Sequence, residues 1–242
     1  MILITRPVSQ TKNLESLLDK NNFDYARFPA FKIIQIQTKA PSNKHDIIIF
    51  ISANAVSYAE EHYGELFSNS PKVFAVGPVT ANQLFQKNIA VDCYPDKNAS
   101  SHALLKMKEC SDLLGKKILI VRGKGGSETL KNYLSVSNQV DYLEVYERIP
   151  SEMTKVHSES LMSFMSHPSG ISMATSNESL LNIIRLVSSV SRNHLEVLKS
   201  RRIIVFSDRI KSTAEKLGFK KIEVTQNPSD EDFVDILFDK KL

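Results

Sequence analysis

The chain has 242 residues, of which 42% are apolar and 24% charged, which excludes disordered and fibrous classes and suits two small packed domains. Its formal charge of +4 is carried by short pairs such as Lys116-Lys117, Arg201-Arg202 and Lys220-Lys221. The lack of a basic stripe with interleaved aromatics favours an anionic small molecule over nucleic acid. The apolar run Ile47 to Ile51 is far shorter than the ~20 residues of a membrane helix, and no basic, apolar and small-residue series opens the chain, so a soluble cytoplasmic protein without membrane contact is expected.

In chain order, Ile2-Leu3-Ile4-Thr5-Arg6-Pro7 predicts a buried strand ending in an arginine loop, and Leu14, Leu17 and Leu18 predict the apolar face of the following helix. Residues 28 to 36 lack helical periodicity and read as extended. Asp46 to Val56 predicts a strand, a turn at Ser52 and a helix start. Val73 to Gly77 predicts another strand, and its helix ends at Asn88, a residue type that tolerates the left-handed conformation. A short strand is expected at Ile89 to Val91.

The pattern then repeats. Residues 118 to 134 align without a gap on residues 2 to 18, so that Arg122 takes the place of Arg6 and Leu130, Tyr133 and Leu134 predict one apolar helix face. Asp141 to Pro150 is again extended. Gly170 to Leu180 matches 46 to 56, with Ser176 at the place of Ser52; Ile203 to Ser207 matches 73 to 77, and its helix ends at Gly218 before a short strand at Ile222 to Val224. Alternating strands and helices argue for parallel sheets covered by helices on both faces.

In such sheets ligands sit beyond the carboxyl ends of the strands, where loops lead into helix N-termini that favour carboxylates or phosphates. Ser52, Ser176 and Ser207 are suited to capping those helices, and their recurrence in paired loops also fits a shared ligand site. Arg6 and Arg122 end equivalent strands, where each would either hold a ligand carboxylate bidentately or make an ion pair. Arg122-Gly123-Lys124-Gly125-Gly126 brings backbone close to an anion, yet with Glu128 following it matches neither nucleotide fingerprint. Gly77-Pro78-Val79-Thr80 serves helix initiation or ligand contact equally well. Cys93 and Cys110, seventeen positions apart, and six scattered histidines show no metal-ligand spacing, so no metal is expected.

Taken together and in order, Ile4-Thr5-Arg6-Pro7, Phe50 to Val56, Ala75 to Ala81, Arg122 to Glu128, Val145-Tyr146-Glu147-Arg148, Thr175-Ser176-Asn177 and Ser207-Asp208-Arg209 resemble the uroporphyrinogen-III synthase family. The resemblance implies two similar α/β/α lobes joined by a two-stranded linker: residues 1–36 with 150–242, residues 40–146, and linkers 37–39 and 147–149. A tandem division near residue 113 suits the repeat alone equally well.

The family reaction closes the linear tetrapyrrole hydroxymethylbilane, a polycarboxylate, to uroporphyrinogen III with loss of water and inversion of ring D, without a cofactor. By resemblance Tyr146 assists loss of the hydroxyl, and Arg6, Ser52, Ala53, Asn54, Gly77, Thr80, Arg122, Gly123, Lys124, Gly125, Gly126, Ser176, Asn177, Ser207 and Arg209 bind substrate. Ser127 stands where many relatives carry arginine, and Arg209 falls in a variant of the Gly-Pro-Thr loop. A monomer is expected, with the enzyme that makes hydroxymethylbilane as a transient partner. The competing reading is a non-catalytic two-lobed sensor of an anionic metabolite.

Overall fold

The computed structural model describes residues 1–41, 44–67, 70–97 and 99–238. The elements begin with β1 (Ile2–Ile4), α1 (Lys12–Lys20), β2 (Tyr25–Arg27), β3 (Phe31–Gln35), β4 (Ile47–Phe50), α2 (Ala53–His62), β5 (Lys72–Ala75) and α3 (Pro78–Gln86). Next come α4 (Ser101–Leu105), α5 (Lys108–Ser111), β6 (Lys117–Gly123), α6 (Thr129–Leu134), β7 (Gln139–Pro150), α7 (Lys155–Ser166) and β8 (Ile171–Ala174). The last are α8 (Asn177–Val190), α9 (Arg192–Ser200), β9 (Arg202–Val205), α10 (Asp208–Lys216), β10 (Lys221–Val224) and α11 (Asp230–Phe238).

Two compact units result, Met1–Ile33 with Ile149–Leu242, and Ile34–Arg148. The chain passes from one to the other inside β3 and again near the end of β7. One sheet has the order β10-β9-β8-β1-β2 and the other β3-β7-β6-β4-β5. The pairings of β1 with β2 and β8, of β9 with β8 and β10, of β4 with β5 and β6, and of β6 with β7 are all parallel.

The sequence repeat orders both sheets alike. Reading β2-β1-β8-β9 against β7-β6-β4-β5, the arginine-loop strands β1 and β6 match, as do the serine-loop strands β8 and β4 and the third-loop strands β9 and β5. The repeat is therefore crossed. Parallel strands put their carboxyl ends on one edge, so each unit carries one loop of each type at the same end of its sheet.

The period-two rule sorts the core of the second unit into two layers. Ile48, Phe50, Val73, Ala75, Leu119 and Val121 pack with Val56 and Ala59 of α2 and Leu84 of α3. Ile47, Ile49, Phe74, Ile118 and Ile120 point to the other face, against Leu104 of α4, Cys110 of α5 and Leu130 and Leu134 of α6. A strand buried on both faces must be apolar throughout, as Ile47-Ile48-Ile49-Phe50 is.

Two local expectations change. No strand forms at Ile89 to Val91; the edge is a single bridge between Phe74 and Cys93. The carboxylate of Asp92 accepts the Val73 N–H at 2.7 Å and so takes a donor that a continued ladder would use. Tyr133 is 52% exposed, because it lies beside the narrow stripe that Leu130 and Leu134 define on the six-residue α6. By contrast, the helix ends at Asn88 and Gly218 are left-handed, with φ of 58° and 89°.

Candidate functional site

In the second unit the loops after β4, β5 and β6 lie together at one end of the sheet. Ser52 caps α2, its Oγ accepting the Ala55 N–H at 3.1 Å. The same Oγ lies 3.1 Å from the Tyr146 hydroxyl. This pairing depends on an irregularity in β7. Glu144 pairs with Arg122, but the next partner of β6, Gly123, meets Tyr146 rather than Val145. The extra residue turns Tyr146 onto the layer already occupied by Leu143 and Val145, where alternation would have sent it to the opposite face.

Gly123 makes room for that ring. A Cβ there would stand 2.4 Å from the Tyr146 ring and 2.9 Å from its hydroxyl. Tyr58 of α2 flanks the other side, with ring centroids 6.0 Å apart. Tyr146 is thus held by Ser52, Gly123 and Tyr58 while remaining partly exposed.

Arg122, for which a ligand carboxylate and an ion pair were both open and which the resemblance placed on the substrate, is only 1% exposed and makes the ion pair. Its Nε donates to the Gly123 carbonyl at 3.1 Å, and one terminal nitrogen donates to Glu128 at 2.9 Å and to the Ser127 carbonyl at 3.4 Å. Glu144 lies 3.7 Å away, and the guanidinium sits 4.3 Å from the centroid of the Tyr142 ring. A cation this deep must be neutralised, and Glu128 and Glu144 do so from within the protein. Its role is to shape the glycine loop: a Cβ on Gly126 would be 2.9 Å from the guanidinium.

Hydrogen bonds from Tyr142 and then Arg122 hold the Glu128 carboxyl below its ordinary value. Burial, with Glu128 next, pushes the Tyr142 hydroxyl up to about 12.

Lys124 carries the exposed charge of this loop, 3.1 Å from Glu147 and 56% exposed along its side chain. Gly125 has a φ of 72° in open space, a conformation that favours glycine. Ala53 and Asn54 form the first turn of α2 and are partly exposed. Gly77 begins α3 under Ala99, 2.3 Å from where a Cβ would stand, and Thr80 is 4% exposed, inside the helix packing. Gly77 and Thr80 therefore initiate and pack α3, and present little surface to a ligand.

In the first unit, Ser176 and Ser179 form a reciprocal capping box at α8, with both bonds at 3.0 Å. Asn177 opens that helix, and its side-chain oxygen is buried without a partner among the described residues. Ser207 caps α10 more loosely, at 3.4 Å from the Ile210 nitrogen, and Arg209 in the first turn is exposed. Arg6 departs from Arg122: one terminal nitrogen pairs with Asp230, which Asn13 also contacts at 3.1 Å, and the guanidinium lies 4.9 Å from the centroid of the Phe206 ring. Among the described residues its other nitrogens make no further hydrogen bond.

Sequence reasoning passed over Tyr58, Asp230 and Tyr142, and used Glu128 only to exclude a nucleotide fingerprint. Only Glu128 carried a readable signal, an opposite charge six residues after Arg122. Burial pushes the Cys93 thiol up to about 11 and the Cys110 thiol up to about 12, which disfavours a thiolate at either near neutral pH. No helix among the described residues is long and apolar enough to cross a membrane.

A family model described as uroporphyrinogen-III synthase HemD matches residues 12–235. The chain is 29% identical over 239 residues to the uroporphyrinogen-III synthase of Salmonella typhimurium, covering 93% of this chain and 95% of that one. It is 27% identical over 237 residues to the Escherichia coli enzyme of the same name, with the same coverage. The solved uroporphyrinogen-III synthetase of Helicobacter pylori superposes with a TM-score of 0.63 at 15% identity, covering 89% of this chain and 92% of that one. A mutant uroporphyrinogen III synthase of Thermus thermophilus gives 0.52 at 13% identity, covering 98% and 97%. At these identities the structures support the fold, while the family model runs from residue 12, just past the Arg6 loop, through the other five loops to residue 235; the chain belongs to the uroporphyrinogen-III synthase HemD family.

Proposed function

We propose that this enzyme cyclises hydroxymethylbilane to uroporphyrinogen III in the cytoplasm, with Tyr146 assisting departure of the terminal hydroxyl and the loops of Arg6, Ser52, Lys124, Ser176 and Ser207 binding the substrate carboxylates. The observation that carries the reading is the Ser52 to Tyr146 hydroxyl contact of 3.1 Å at the capped start of α2. Ser52 Oγ accepts the Ala55 N–H, and in its contact with Tyr146 either hydroxyl can donate; the orientation in which Ser52 donates to the Tyr146 oxygen leaves the phenol proton for the substrate.

In that arrangement the pyrrole nitrogen pushes its lone pair toward the hydroxymethyl carbon, and the hydroxyl leaves as water with the phenol proton. The cationic azafulvene is attacked by the substituted carbon of ring D, and the spiro intermediate reopens and recloses with that ring inverted. Loss of a proton from the ring carbon at the end restores the phenol. Most of the acceleration then comes from holding two ends of one flexible chain in place. Helix N-termini capped by Ser52, Ser176 and Ser207, the glycine loop with Lys124, and Arg6 and Arg209 supply the anion contacts. We assign residues 1–36 with 150–242 and residues 40–146 as the two lobes.

The test is to give the purified chain freshly made hydroxymethylbilane and separate the products by chromatography. Uroporphyrinogen III is expected. Uroporphyrinogen I alone, the uncatalysed isomer, overturns the assignment and favours the sensor reading.

A further inference from the structure

The amino ends of the strands in the first unit, opposite the loops of Arg6, Ser176 and Ser207, border a depression of about 680 Å³. Ile2, Ile171 and Leu237 contribute its apolar wall, and Arg201, Arg202 and Lys221 its charge; among the described residues that line it, none is acidic. The three cations are not equivalent. Arg202 is neutralised where it stands, by two bonds to Glu223 at 2.7 and 2.6 Å, with a third to the Ile236 carbonyl at 2.9 Å.

Arg201 meets no carboxylate among the described residues. Its guanidinium donates to the carbonyls of Phe164 and, at 2.8 Å, Met165 at the end of α7, and it lies 4.8 Å from the centroid of the Phe164 ring. Burial lowers its pKa from the ordinary guanidinium value, as expected for a cation withdrawn from water without a counter-charge. The wall is pressed against it: a Cβ on Gly170 would stand 2.7 Å from the Phe164 ring and 3.1 Å from an Arg201 nitrogen. Lys221 is exposed and forms no ion pair among the described residues.

Ending α7 accounts for two donors of Arg201. Among the described residues it leaves three N–H groups without a hydrogen bond, and it does not explain why the charge beside an apolar wall is cationic alone among the described lining residues. We propose that this depression is a second ligand site, distinct from the substrate loops, which takes a small carboxylate with an apolar body. Arg201 and Lys221 hold the carboxylate, and the Ile2, Ile171 and Leu237 wall covers the apolar part.

Octanoate is a suitable probe, with octanol as its neutral counterpart. Titrated into the full chain and followed by 1H–15N NMR, octanoate is expected to give saturable shifts at the Gly170, Ile171 and Lys221 amides, with octanol at least about tenfold weaker. Lys221→Glu should weaken octanoate roughly tenfold, and Ser200→Trp, which fills the rim, should abolish the shifts; both should leave the cyclisation rate unchanged. The site is overturned by the absence of saturable binding, by equal binding of octanol, by indifference to either variant, or by shifts confined to Ser176 and Ser207. Because the readout is local to the base of the sheet, it stands or falls separately from the cyclase assignment.

Discussion

Tyr146 is held from three sides, so its contribution is separable from its packing. Tyr146→Phe keeps the ring against Gly123 and Tyr58 and removes only the hydroxyl; turnover should fall by at least about tenfold with an unchanged circular dichroism spectrum and unfolding midpoint. Gly123→Ala tests the same geometry from the other strand. Its methyl would occupy space 2.4 Å from the ring, so turnover should fall comparably although the phenol is still present. Normal turnover in either variant removes Tyr146 from the chemistry. The identity of Tyr146 was readable from the family motif, but its orientation was not, because it depends on an extra residue in β7 that no periodicity announces. The reverse holds for Arg122. Its position was readable, whereas its burial depended on Glu144 and Tyr142 arriving on a neighbouring strand.

At the scale of elements, the serine loops combine capping and binding, and the two contributions can be separated by position. Ser52→Ala and Ser176→Ala should each cost about 1 kcal/mol of unfolding free energy in urea titration, because each deletes one acceptor for an orphan helix N–H. Ser52→Ala should in addition lower kcat, since it releases the Tyr146 hydroxyl, while Ser176→Ala should act mainly on KM. Equal effects on kcat would show that Ser52 is only a cap. The helices that follow the six loops and most strands were legible from apolar spacing and end signals, whereas α4, α5, α7, α9 and α11 carried no such reading. The strand expected at Ile89 to Val91 was not realised, since the Asp92 side chain satisfies the edge of β5 in place of a ladder.

For the whole molecule, the first unit is assembled from both ends of the chain and the second from a continuous segment. An isolated 34–148 fragment should therefore fold cooperatively, as followed by circular dichroism. Adding residues 1–33 to that fragment should add little ordered structure, because β1 would lack β8 beside it. Acid stability follows from carboxylates held ionised. Two hydrogen bonds of 2.6 Å from Arg27 keep the Glu15 carboxyl below its ordinary 4.5 and tie α1 to β2. A carboxyl lowered in the folded state contributes fully above 4.5 and loses that contribution as pH falls through the folded value. The wild-type midpoint of thermal unfolding should thus drop more steeply below pH 4.5 than that of Glu15→Gln, and parallel curves would deny Glu15 this part.

The sequence by itself determined the alternation of strand and helix, the two-fold recurrence of three loops and the residue types that cap their helices, because these depend on local spacing and backbone preference. Which copy of each loop shares a sheet was decided by tertiary structure: strand pairing joins Ile2 to Ile171 across most of the chain, and no local signal reports that distance. The same holds for the two arginines. Arg6 and Arg122 occupy equivalent places in the repeat, yet one pairs with Asp230 near the surface and the other is sealed beneath its loop, because only neighbours brought from elsewhere supply Asp230 to the first and Glu144 with Tyr142 to the second.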